Sequence, residues 1–142
     1  MAFFRSNRRL IAIATAAIAV GMAATLVACG DSKYQPPAIA VTFDSSFAPP
    51  SSIDTGAYAG IAADVANDSK NAGVKFSCAP AGDCGSFTPA SIASSIPTCY
   101  LAPESVPEGG TVTITATSNT DPTKFVTSSA ITIVSGPAHA CP

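Results

Sequence analysis

The sequence predicts an all-β domain, a Greek-key sandwich of about seven strands, and three observations carry that expectation. Apolar residues recur at every second position in several short windows, as strands with one inward face require. Stretches dense in Pro, Gly, Asn, Asp and Ser punctuate those windows. After Ala38 no window sustains the i, i+3, i+4, i+7 apolar spacing of a helix for three turns.

The chain has 142 residues, and its first part is not of this kind. Arg5, Arg8 and Arg9 precede "LIAIATAAIAVGMAATLVA", Leu10 to Ala28, the charged-then-apolar order of an export signal. Its 19 residues are also long enough to span a bilayer, so length alone does not separate signal from anchor. The ending does. Leu26-Val27-Ala28-Cys29 resembles the lipobox of bacterial lipoproteins, in which a small residue precedes a cysteine that is lipidated before the signal is removed. The resemblance implies a signal peptide over 1–28 and a lipid chain on Cys29, palmitate among the expected acyl groups. Several acyl chains hold a protein on a membrane where one alone binds marginally. Gly30 and Asp31 follow Cys29 without a strong inner-membrane retention signal, so the expected location is the outer membrane of the bacterial cell envelope.

Residues 29–37 then form the lipidated cysteine and a short tether, "GDSKYQPPA" running on to Ala38, polar and stiffened at Pro36-Pro37. The domain is expected over 38–134, with a tail over 135–142. "AIAVTF" sets Ile39, Val41 and Phe43 on one face; "GIAADV" does the same with Ile61, Ala63 and Val65. "GVKFSC" offers Val74, Phe76 and Cys78, and "TCYLA" is a shorter strand. "TVTITAT" is the cleanest alternation, Val112, Ile114 and Ala116 facing in and four threonines facing water. "KFVTSSAITIV", Lys124 to Val134, reads as one long final strand.

The strings "VANDSKNAGVKFSCAPAGDCGSFTPA", "YLAPESVPEGGTVTITATSNTDPTK" and "ITI" resemble the bacterial immunoglobulin-like repeats of surface and secreted proteins, over Ile39 to Val134. The resemblance implies an immunoglobulin-like sandwich and places Phe76, in Val74-Lys75-Phe76-Ser77-Cys78, where the family packs a core tryptophan. "GAYAGIAAD" departs from the family's Thr-rich second strand at Tyr58 and Gly60. Members of that family serve as spacers or adhesive modules and share no catalytic residues.

Five cysteines are an odd number for an exported chain, and assigning Cys29 to lipid leaves four, hence two disulfides with three connectivities open. The family resemblance implies Cys78–Cys84, which leaves Cys99 and Cys141 to pair. No Cys-x-x-Cys exists, the sole histidine is His139, and Cys78-x5-Cys84 lacks zinc-finger spacing, so neither a metal site nor a redox pair is expected.

Catalytic chemistry finds no assembled candidate. A hydrolytic triad needs a base beside its nucleophile, and His139 lies in the tail. Asp44, Asp54, Asp68, Asp83 and Asp121 fall at strand ends or turns, and Asp64 is expected to point to solvent. No contiguous calcium loop is present, and no cofactor is expected. Beyond residue 28 the chain keeps four lysines against nine acids, a net charge of −5, which argues against nucleic acid as a partner. The expectation is a non-enzymatic, lipid-anchored envelope protein whose module is a structural spacer or a protein binder, through loops or a strand edge. The alternative is a carbohydrate-binding or adhesive module, for which the absence of Trp leaves only Tyr34, Tyr58 and Tyr100 as tyrosine platforms.

Overall fold

The computed structural model describes residues 35–137. The chain divides into two units, Met1–Gln35 and Pro36–Pro142, and the described residues belong, Gln35 aside, to the second. Cys29, the expected signal peptide over 1–28, His139 and Cys141 lie outside the described residues.

The domain is all-β, a sandwich, with no helix among the described residues. Eleven short strands build it: β1 (Ala40–Phe43), β2 (Ser52–Asp54), β3 (Tyr58–Ile61), β4 (Ala63–Ala66), β5 (Val74–Ala79), β6 (Ser86–Thr88), β7 (Ser91–Ile92), β8 (Thr98–Leu101), β9 (Thr111–Ser118), β10 (Phe125–Thr127) and β11 (Ile131–Val134). One sheet runs β2-β11-β9-β5-β7, with β10 also on β9. A three-stranded sheet runs β3-β8-β6, and β1 pairs with β4. Among the described residues only β2 and β11 pair in parallel. Sequence neighbours such as β3 and β4 thus sit in different sheets, as in a Greek key.

The alternation on β9 explains the core. Val112, Ile114, Ala116 and Ser118 are buried and face the inward set of β5, Phe76 lying opposite Ala116 and Cys78 opposite Ile114. Ile61, Ala63, Tyr100 and Ala102 close the cluster from the other side. The threonine face is drier than alternation alone implies: Thr113, Thr115 and Thr117 are half-buried, and Thr115 and Thr127 share a hydroxyl hydrogen bond of 3.0 Å.

Two expected strands are broken. Lys124 to Val134 divides into β10 and β11, because at Ser128 the side chain replaces the backbone in the ladder. Ser128 N donates to the Ile114 carbonyl at 2.8 Å, while Ile114 N donates to Ser128 Oγ at 3.0 Å. "GIAADV" divides at Ala62, where Ile61, Ala62 and Ala63 are all buried. The Ala62 backbone bonds to Asp44 N and the Phe47 carbonyl, so β3 joins one sheet and β4 pairs with β1. Asp64 is half-buried at the surface, where it accepts a hydrogen bond from Ser95 Oγ.

Candidate functional site

Phe76 is 2% exposed and anchors an aromatic column. Its ring centroid lies 5.6 Å from that of Phe87, which lies 5.0 Å from that of Tyr100. The column joins β5, β6 and β8 across the sandwich. Tyr100 is fully buried, and its hydroxyl donates to the Cys84 carbonyl at 2.6 Å. Burial pushes the phenol pKa up to about 12. Phe87 and Tyr100 carry no spacing signal that ties them to Phe76; only the fold brings them together.

Cys78 and Cys84 form a disulfide with Cα atoms 5.7 Å apart, closing the connection between β5 and β6. The bond stands directly behind the Tyr100 hydroxyl, so staple and aromatic column reinforce one end of the core. Cys99 is disulfide-bonded as well, and its expected partner Cys141 lies outside the described residues. Cys99 sits on β8 opposite Gly60 and Thr88, between the buried Thr98 and Tyr100. It therefore belongs to the outer face of that sheet.

The carboxylates organise turns. Asp68 accepts hydrogen bonds from Thr120 Oγ1 at 2.7 Å, Ala72 N at 2.9 Å and Lys70 N at 3.1 Å. These bonds, the Thr120 hydroxyl first, hold its pKa below the ordinary carboxylate value. Asp121 is lowered in the same way by the hydroxyl and backbone N–H of Thr123. Asp44 accepts Ser46 N at 2.7 Å. Among the described residues no three His, Cys, Asp or Glu side chains gather as metal ligands. Every buried side-chain N or O has a partner there.

The surface also presents apolar side chains. Phe47, Tyr58 and Ile96 are exposed large hydrophobics. Tyr58 and Gly60 share the outer face of β3, and a Cβ at Gly60 would touch the Phe47 ring at 3.5 Å and Pro97 at 4.0 Å. Phe47 and Pro97 thus meet over Gly60, with Ile96 flanking and Tyr58 farther along the strand. A separate open groove of about 440 Å³ is lined by Phe43, Pro49, Pro50, Thr127 and Ser129. At the opposite extreme of exposure from the core stands Phe125 on β10, 60% exposed. Among the described residues no helix is long and apolar enough to cross a membrane.

No protein-family model, curated protein or solved structure matches the chain.

Proposed function

We propose that the chain is a non-enzymatic lipoprotein of the bacterial cell envelope, anchored through Cys29, whose single immunoglobulin-like module acts as a spacer or a protein-binding unit. The observation that carries the reading is Leu26-Val27-Ala28-Cys29 at the end of an Arg-led apolar run, joined by a short tether to a small disulfide-tied sandwich. The sandwich topology and the buried Phe76 support the immunoglobulin-like part of it. The binding role is supported by Phe47, Tyr58 and Ile96, exposed apolar side chains on a rigid scaffold. Gly30 and Asp31 after Cys29, which form no strong inner-membrane retention signal, support placement at the outer membrane. The test is metabolic labelling with radioactive palmitate during expression in a Gram-negative bacterium. Label should enter the parent and be lost in Cys29→Ser; equal labelling of both chains would overturn the anchor.

A polysaccharide ligand is the second reading, favoured by the exposed rings of Phe47 and Tyr58 near one another. Retention on a panel of immobilised polysaccharides, abolished in Phe47→Ala with Tyr58→Ala, would select it over a protein partner.

A further inference from the structure

We propose that the outer face of β3 and β4 docks a basic, partly apolar segment of a partner protein. Its Arg or Lys heads meet Asp44 and Asp64, and its apolar side chains lie on Phe47, Ile96 and Pro97. This inference rests on the protein-binding reading of the module and names the chemistry of the partner.

Inside-outside alternation runs unbroken from β3 into β4, although the two strands pair with different neighbours. Ala59, Ile61, Ala63 and Val65 belong to the core or pack against it. Tyr58, Gly60, Ala62 and Asp64 therefore share the outer face. The backbone of Ala62 holds the turn that follows β1. Asp44 N donates to the Ala62 carbonyl at 3.0 Å, and Ala62 N donates to the Phe47 carbonyl at 3.0 Å. The turn closes on itself through Phe47 N on the Asp44 carbonyl and Ser46 N on the Asp44 carboxylate. One alanine thus fixes an acid and an aromatic side by side, with the Phe47 ring reaching over Gly60.

The second acid follows on the same face. Asp64 pairs with Thr42, and Asp44 lies two residues beyond Thr42, so the two acids are diagonal neighbours about 7–8 Å apart. Ser95 Oγ donates to Asp64, and Ile96 and Pro97 come next in the chain. The acids and the exposed apolar side chains are therefore contiguous. Cys99, disulfide-bonded and opposite Gly60, bounds this face on its β8 side.

Charge names the occupant. Among the described residues the bases are Lys70, Lys75 and Lys124, and none of them pairs with Asp44 or Asp64. Lys75 on β5 and Lys124 before β10 both lie against β9, in the other layer of the sandwich. Lys70 lies past the end of β4, in the loop that Asp68 organises. The face accordingly carries two negative charges beside apolar surface and repels an anionic ligand. A cation on an apolar stem complements it. Arginine meets both demands, because a guanidinium stacks on an aromatic ring while its N–H groups donate to carboxylates. Tyr58 to Asp64 spans about 20 Å, enough for about six residues of an extended segment.

The test uses full-length lipidated protein in neutral maltoside micelles, with empty micelles as the blank. Fluorescent capped peptides built from Arg, Leu and Ser, from Glu, Leu and Ser, and from Arg and Ser alone are titrated, and anisotropy reads binding. The proposal expects the first peptide to bind, less tightly as salt is added, the second not to bind, and the third to bind more weakly than the first. Asp44→Asn and Asp64→Asn keep an acceptor for Ser46 N and Ser95 Oγ, and each should weaken binding about threefold. Phe47→Ala should weaken it as well, and Lys75→Gln should not. Equal binding of the Arg and Glu peptides, lost in Phe47→Ala, overturns the basic occupant and leaves a protein-binding face standing. Binding that is unchanged in Phe47→Ala and in Asp44→Asn with Asp64→Asn overturns the assignment of the face. No binding by any peptide overturns the inference, and retention on polysaccharide beside it overturns the protein-binding reading too.

Discussion

Burying a tyrosine removes a hydroxyl from water, and Tyr100 meets that cost with its 2.6 Å bond to the Cys84 carbonyl. Tyr100→Phe would leave that buried carbonyl without its partner, at a cost of about 1–3 kcal/mol measured by chemical denaturation. The pH dependence has a definite sign. The folded phenol ionises at about 12 against an ordinary 10.0, so between those values the unfolded chain loses a proton that the native chain keeps. Stability should fall as pH rises through that window and be independent of pH, so far as this group is concerned, below it; Tyr100→Phe should remove the fall. Asp68 acts at the other extreme. Its pKa is lowered from 3.8, so its contribution is present above that value and is lost as pH falls through the lower folded one. The Asp68→Asn variant should lose less stability than the parent on acidification from about pH 5 to pH 2, followed by urea unfolding. Gly73 is constrained by geometry instead. Its φ is +78°, and an added Cβ would collide with the Ile92 carbonyl oxygen, so Gly73→Ala should cost more than about 1 kcal/mol.

At the scale of elements, Cys78–Cys84 closes a short loop, and replacing both cysteines with serine should cost about 2 kcal/mol on the chain-entropy view, visible as a lowered Tm. The break between β10 and β11 depends on one hydroxyl. Ser128→Ala deprives Ile114 N of its acceptor and should cost about 1–3 kcal/mol. That break also shows where sequence pattern stops being informative. β9 was legible because eight residues give several repeats of the alternation and because it lies between β5 and β11, which makes one face fully inward. β2, β6 and β7 have two or three residues each, too few to establish a period. Ser128 bonds to Ile114 of β9 and Ala62 to the turn after β1, both away from their own strings, so an alternating string gives no sign that the ladder is interrupted there. The same holds for the core aromatics. Phe76 stands in a readable strand, whereas its stacking on Phe87 and Tyr100 exists only once three strands converge. The bond of Asp64 to Ser95 is equally illegible, because alternation accounts for the strand of Asp64 and not for the loop beside it.

At the scale of the whole molecule, the proposed account joins a lipid anchor at Cys29 to a disulfide-tied sandwich. That account depends on the assignment of cysteines: one to lipid, four to two disulfides. Intact mass spectrometry of protein purified from membranes, with and without reduction and alkylation, tests that assignment most directly. The account predicts a chain that begins at Cys29, carries acyl mass, and shows no free thiol until reduction exposes Cys78, Cys84, Cys99 and Cys141. A mass that retains residues 1–28, or alkylation without prior reduction, would contradict it.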